Sequence, residues 1–513
     1  MTAVESVPPA GERSADRWSR WSDHLNPILV REVQQAIKGR VFPLTILIAL
    51  AISVVIAAVV SEEYSFGGTG RNAFRAGFAT LIPLVLFVVP MQAYNSMRTE
   101  LKGGIVEQLL LTRLSPSRVL SGKLQAAMVQ FVLYVSILSP LLATSYLLRG
   151  VDVVTIGLSL LMALILCVTA TALAVSSAAQ GVVPALQPIA NLGTAFGLGI
   201  GTFGMISAVV SGGFEAMLGA LVRSGSFSAV VSAVLLLALL STALSWLAAR
   251  SFLLHAFENR SSAFRVLLFV LPVLAYGWLL AFVEPRHRDG AFPILTFGLL
   301  LVSIVFGVFM VTEQGRMSPR VDAHVPKAGW RALLLAPLLP GRDRGALCLL
   351  LFHVLLVAIA VAFWPLASVR RWHPAAVLPR VGAMTMAYVW VYLGLLRWLR
   401  ARLPENVRGS QAARVLLPAM LFLFCVAPLL VDAIVRGGPD EWHLGHVMNP
   451  FWTIAEFAGQ DKTELFPTVY AVIGLALLPQ LPAFVRGLRE VSAASRRNRS
   501  RAGPKPTSAS DDA

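Results

Sequence analysis

The side chains of this chain that could bind a metal lie in the segment DEWHLGHVMNPFW, which begins at Asp440. His443 and His446 follow Asp440 and Glu441 there, and imidazole and carboxylate groups are common zinc ligands. The tryptophan and phenylalanine residues beside them favour a different interpretation, because aromatic side chains collect where a membrane meets water. Neither an HExxH pair nor a nucleophile elbow occurs in the sequence, so we predict no catalytic residues and no metal site.

Groups that could supply energy for transport are also sparse. The sequence has no GxxxxGK[ST] loop to hold nucleotide phosphates, so any ATP hydrolysis must come from another polypeptide. A carrier driven by protons or sodium needs ionisable groups inside its apolar segments, and the candidates are His353 and Asp432. Asp432 lies four residues before Arg436, which predicts a local ion pair, and His353 is typical of a neutral core histidine. An ion-coupled secondary transporter is therefore the alternative hypothesis.

Membrane helices are the elements that must position these residues. Hydrophobic residues make up 56% of the chain, charged residues 14%, and the mean hydropathy is +0.71. We predict an all-α polytopic membrane protein with about twelve spans, since a span needs roughly 20 apolar residues. The predicted spans lie near residues 43–61, 77–95, 119–148, 153–178, 181–210, 227–254, 263–283, 292–312, 346–366, 377–397, 413–436 and 466–487.

Most of the 43 Lys and Arg residues lie in alternate segments between the predicted spans, including both termini. Positive charge near span ends stays on the cytoplasmic side, so we predict a multi-pass inner-membrane protein with both termini in the cytoplasm. Anionic lipid headgroups account for the net charge of +16, and nucleic-acid binding is not needed to explain it.

An amphipathic helix is predicted just before the first span, from Asn26 to Arg40. Asn26 suits the N-cap, Pro27 suits the first helical turn, and Arg31 belongs to the polar face. A helix of this kind lies flat in the membrane interface.

A second amphipathic segment, Arg98 to Lys123, separates two long apolar runs. Ile105, Leu109 and Leu110 recur at helical spacing, while charged residues including Glu100 and Glu107 give the segment a polar face. Ser115 and Pro116 then form an N-cap and first turn, so the chain enters the next span at a defined corner.

Together these segments resemble the permease subunits of type-2 ABC transporters over residues 24 to about 256. That six-span domain begins with an elbow helix and has a coupling helix between its second and third spans. The matching residues are Asn26, Pro27, Arg31 and Glu32 in the elbow, and Glu100, Gly104, Glu107, Leu109, Leu110, Leu111, Ser115, Pro116, Gly122 and Lys123 in the coupling segment.

The resemblance implies that the coupling segment contacts a separate ABC ATP-binding subunit. That partner would bind ATP and magnesium, and this chain would carry no cofactor. Drugs, lipids, polysaccharide precursors and peptides are all substrates within the resembled family. A membrane scaffold or sensor that does not transport is a further alternative.

The resemblance covers slightly less than half of the chain. We predict a disordered cytoplasmic tail at 1–23, the permease-like domain at 24–256, a further six-span domain at 257–489 and a disordered basic tail at 490–513. Ser318 and Pro319 repeat the Ser115-Pro116 pair, so the later domain is either an accessory bundle, which we favour, or a diverged second permease half.

The fifth predicted span carries Gly193, Gly197 and Gly201 at four-residue spacing. Glycine allows helices to approach closely in lipid. This face is either a seam with a second permease chain, in a homodimer or a heterodimer, or a packing surface within one chain.

Overall fold

The computed structural model describes residues 26–62, 69–112, 114–148, 151–180, 187–214 and 227–254 in the first half of the chain. In the second half it describes residues 258–285, short pieces between 288 and 313, and residues 317–363, 374–402, 410–435, 446–449, 453, 475 and 477–501. The described residues form helices, and no strand occurs among them. The predicted tail 1–23 lies outside the described residues.

The helices in the first half follow the order of the apolar runs. They are α1 Pro27–Lys38, α2 Val41–Glu62, α3 Thr69–Pro83, a π-helical turn Leu84–Val88, α4 Val89–Lys102, α5 Ile105–Leu111, α6 Pro116–Leu147, α7 Val153–Ala179, α8 Gln187–Val210 and α9 Phe227–Leu253.

The second half contains both long and short helices. They are α10 Ser262–Phe282, α11 Pro319–Ala323, α12 Gly329–Leu335, a 3-10 turn Ala336–Leu338, α13 Arg342–Phe363, α14 Pro374–Arg402, α15 Ser410–Val435, a 3-10 turn Leu478–Gln480 and α16 Leu481–Ser500.

The chain is a multi-pass membrane protein by the length and hydropathy of its helices. Among the described residues, six helices are long and apolar enough to cross a membrane, and α1 with the first part of α2 forms a further candidate bent by 59°. The six are Gly70–Lys102, Pro116–Leu147, Val153–Ala179, Gln187–Val210, Val231–Leu253 and Ser262–Phe282. The figure of about twelve spans is not confirmed.

The chain divides into two compact units. The first comprises Met1–Gly181 and Asn191–Leu253, and the second comprises Val182–Ala190 and Leu254–Ala513. The main division lies near the predicted boundary at residue 257.

In the first unit, α3 packs on α6, α4 and α9 pack on α7, and α1 lies across the start of α6. Aromatic side chains fill the middle of the core, where Phe78 stacks on Phe74 and Phe214 at ring distances of 5.5 and 5.6 Å. The Tyr134 hydroxyl lies 2.8 Å from Thr45 Oγ1, so α2 and α6 share a polar contact inside this apolar core.

The second unit is organised around α16. Asn498 Nδ2 donates to the carbonyls of Asp322 and Val325 at 2.7 and 3.0 Å, and Arg344 pairs with Glu490. The predicted disordered tail at 490–513 is therefore wrong for residues 490–500, which form half of α16. Residues 502–513 lie outside the described part of the chain.

Ser318 and Ser115 cap their helices in the same way. Each serine hydroxyl accepts from the backbone N–H three residues later at 3.3 Å, and the backbone angles of the two serines agree within a few degrees. Ser115 begins a helix of 32 residues, whereas Ser318 begins one of 5 residues that is held against α16. The repeated Ser-Pro pair thus forms the same N-cap on two helices of very different length.

Candidate functional site

The site begins with the seating of α1 on α6. Asn26 Oδ1 accepts from the N–H of Ile28 at 3.1 Å, and Asn26 Nδ2 donates to the carbonyl of Arg118 at 2.7 Å. One side chain therefore caps α1 and fixes it to the start of α6.

Gly122 lets the two helices approach closely. A Cβ atom at this position would lie 2.7 Å from Ile28 Cβ, and both residues are buried. Any larger residue at Gly122 would push α1 away from α6.

A buried ionic cluster lies beside this contact, at Glu32, one turn after Ile28 on α1, and at Lys123, the residue after Gly122 on α6. Lys123 Nζ lies 2.5 Å from Glu32 Oε1 and 3.0 Å from Glu100 Oε2, and it donates to Ser96 Oγ at 2.8 Å. Ser96 Oγ donates in turn to the Glu32 carboxylate. The Lys123 side chain has no exposed surface, so the ammonium depends on these partners in place of water.

Arg31 completes the cluster at its outer edge. Its guanidinium pairs with Glu100 and lies 3.5 Å from Glu32 Oε1, and 30% of the side chain is exposed. The cluster consequently joins α1, α4 and α6 through charge as well as through packing.

The short helix α5 projects from this junction. Gly104 precedes it with a φ of +66°, in the left-handed region that glycine adopts most readily. Val106 is 2% exposed and lies in a core with Met97 and Leu120, and Leu110 packs against the same core one turn later. The buried face of α5 therefore rests on α4 and α6.

The opposite face of α5 is exposed. Leu111 is 80% exposed and Ile105 38%, and Glu107 and Gln108 are exposed beside them. An apolar residue this exposed on a charged helix end is the kind of group that a protein partner covers.

The structure separates the predicted contact residues into three groups by exposure. Glu107, Leu111 and Ser115 are exposed, Gly104, Leu109, Leu110 and Pro116 are half-buried, and Glu100 and Lys123 are buried in the ionic cluster. The prediction is wrong for Glu100 and Lys123 as surface contacts, because their charges are neutralised within the chain. They join α4 and α6 to each other and to α1.

The sequence patterns do not indicate Ser96 and Arg31 as partners of these charges. Ser96 lies one turn before Glu100 on the same face of α4, and Lys123 lies at the start of an apolar span. An ionisable residue in such a place requires a partner, and that requirement is the signal that could have found them.

Gly193, Gly197 and Gly201 lie on a face of α8 that the rest of the described chain leaves open. A Cβ atom built at any of the three would meet no other described atom within 4 Å. Phe196 and Ile200 are each 57% exposed near them. Of the two interpretations of this face, packing within the chain is not observed among the described residues of the first unit.

The other ionisable candidates lie in the second unit. Ser303 Oγ lies 2.9 Å from His353 Nε2, and His446 Nε2 lies 2.6 Å from Asp432 Oδ2. Arg436, the predicted partner of Asp432, and His443 fall outside the described residues. Within the part of the chain that is described, no three His, Cys, Asp or Glu side chains are grouped as a metal site would require.

The chain was compared with protein-family models, curated proteins and solved structures. None of the three comparisons finds a match.

Proposed function

We propose that this chain is the permease subunit of an ABC exporter-like transporter, driven by a separate ATP-binding subunit. The observation that carries the proposal is the attachment of α5, whose outer surface is exposed while its buried face rests on α4 and α6, which the ionic cluster joins to α1. A helix that transmits movement from a soluble partner to membrane spans needs both an exposed surface for the partner and a firm attachment to the spans.

Movement of the partner would reach the spans by two routes. Val106 and Leu110 press on the core formed by α4 and α6, and Glu100 connects α4 with Lys123 and Arg31. A rigid corner passes displacement on to the helices that it joins, whereas a loose loop would absorb it. The spans would then alternate between access states or open laterally toward lipid.

The proposal assigns the remaining parts as follows. ATP and magnesium bind to the partner subunit, and this chain needs no cofactor of its own. The chain resides in the inner membrane with both termini in the cytoplasm, in contact with lipid and without a nucleic-acid partner. The described residues give no structural support for a second coupling segment at Ser318.

Isolation from the native membrane in mild detergent tests this assignment. We expect a P-loop polypeptide to co-purify, to be labelled by a photoreactive ATP analogue and to give the preparation ATPase activity. A preparation that transports its substrate without any nucleotide-binding protein would contradict the proposal.

The open glycine face of α8 predicts a contact with a second permease chain. In a background without Cys167, Cys348 and Cys425, Gly197→Cys should form an oxidative cross-link between chains in the membrane. Gly157→Cys is the matched control, because Gly157 is also open but lies on α7. A cross-link with Gly157→Cys and none with Gly197→Cys would place the seam elsewhere.

An ion-coupled carrier is the second candidate function, and one observation favours it. Asp432 and His446 form a buried pair, and a buried carboxylate beside an imidazole can hold and release a proton. We expect Asp432→Asn to leave transport close to normal, since ATP supplies the energy in our proposal. Transport that persists without ATP, collapses with the proton gradient and fails in Asp432→Asn would favour the carrier.

A further inference from the structure

A cavity of about 230 Å³ lies beside the buried ionic cluster. Its polar lining comes from three helices of the first unit and includes Glu32 and Gln35 of α1, Gln92 and Ser96 of α4, and Lys123 and Gln130 of α6. The cavity is far larger than the roughly 30 Å³ that one water molecule occupies in the liquid.

Two buried amide atoms of this lining lack a hydrogen-bond partner among the described residues, the Gln92 Nε2 donor and the Gln130 Oε1 acceptor. Gln130 is 7% exposed, so bulk water does not solvate it freely. A buried polar atom without a partner costs free energy. The cavity therefore suits a ligand with an acceptor for Gln92 and a donor for Gln130.

An apolar groove of about 420 Å³ lies further along the same helices. Ile48 and Ile52 of α2 line one side, and Pro83, Leu84 and Val88 line the other. Val41 and Val89 line the cavity, whereas Thr45, one turn after Val41, and Val88, the residue before Val89, line the groove, so the two spaces follow each other along α2.

The length of this path matches one lipid leaflet. From Val41 to Ile52 the helix rises about 16 Å at 1.5 Å per residue, roughly half of the 30 Å hydrocarbon core. The π-helical turn Leu84–Val88 supplies two of the groove residues, and π-helical turns often occur at functional sites.

We propose that this cavity and groove bind one glycerophospholipid from the leaflet next to α1. The headgroup occupies the cavity, with a phosphate oxygen accepting from Gln92 Nε2 and a headgroup amine or hydroxyl donating to Gln130 Oε1. One acyl chain follows the groove along α2. Ethanolamine and glycerol headgroups have the required donor, whereas choline has no N–H or O–H. This inference does not depend on the ATP-binding partner.

Native mass spectrometry of the full chain in detergent tests the site with three probes. The probes are phosphatidylethanolamine, phosphatidylcholine and free phosphoethanolamine. We expect the ethanolamine lipid to bind about tenfold more tightly than the choline lipid, and free phosphoethanolamine to bind more weakly than either lipid. Equal binding of the two lipids would contradict the assignment of the headgroup. Free phosphoethanolamine that binds as tightly as the lipid would contradict the proposal that the ligand is a lipid with an acyl chain in the groove.

Matched variants separate the headgroup from the acyl chain. Gln130→Leu should abolish the preference for ethanolamine without lowering the thermal unfolding midpoint, whereas Gln125→Leu, at an exposed position of the same helix, should preserve the preference. Ile48→Trp should weaken lipid binding by filling the groove, while Leu47→Trp, outside the groove, should not. A preference that survives Gln130→Leu would show that the lipid binds at another place.

Discussion

Lys123→Ala will lower the free energy of unfolding of the first unit by about 3–5 kcal/mol, because it removes the buried cation shared by two buried carboxylates and leaves them only the partly exposed Arg31. Glu32 and Glu100 both lie within 3.0 Å of Lys123 Nζ. Arg31 is partly exposed and neutralises only one of them. The thermal unfolding midpoint of the purified chain in detergent measures this effect.

Removing the carboxylates together with the cation should restore part of the loss. The variant Lys123→Met with Glu32→Gln and Glu100→Gln leaves no fully buried charge, and the one cation that loses its partners, Arg31, is 30% exposed, so the variant should be more stable than Lys123→Ala. Lys38→Ala, at an exposed position of α1, should change the stability by less than about 0.5 kcal/mol. A Lys123→Ala protein as stable as the Lys38→Ala control would mean that the cluster does not hold these helices together.

Structural features that depend only on residues adjacent in the sequence, such as helix caps, could be predicted. Asn26 before Pro27 and Ser115 before Pro116 cap the helices at the expected positions, because a cap needs only the side chain and the backbone N–H groups that follow it. The helical class and several of the long apolar helices follow from composition for a similar reason.

The ionic cluster could not be predicted, because its members meet only when three helices pack. Glu100 lies in a largely polar stretch from Arg98 to Lys102, which suggests an exposed position, yet its partners come from α1 and α6. Lys102, two residues after the buried Glu100, is exposed, so nearby charged residues in the same helix can lie in the core or in solvent.

The error at the C-terminal end has a different cause. Residues 490–500 are rich in Arg and Ser, a composition typical of disorder, but Phe484, Gly487, Val491, Ala494 and Asn498 recur at helical spacing and are buried. The helical periodicity is present in the sequence, but the disorder prediction rests on composition alone.

A substitution on the exposed face of α5 should have the largest functional effect. Leu111→Asp places a charge where we propose an apolar contact with the ATP-binding subunit, and Glu107→Lys reverses a charge on the same face. Loss of one member of an interfacial charge pair costs roughly 2–5 kcal/mol, which corresponds to about 30-fold or more in affinity. Both residues are exposed, so we expect the folded chain itself to be unaffected.

The most direct measurement is the amount of ATP-binding subunit that co-purifies with each variant from the native membrane, normalised to the chain. Leu147→Asp is the control, since Leu147 is 74% exposed but lies at the opposite end of α6. We predict that wild-type protein and Leu147→Asp retain the subunit, while Leu111→Asp and Glu107→Lys lose it with unchanged unfolding midpoints. Full retention of the subunit by Leu111→Asp and Glu107→Lys would contradict the role of α5 as the docking helix.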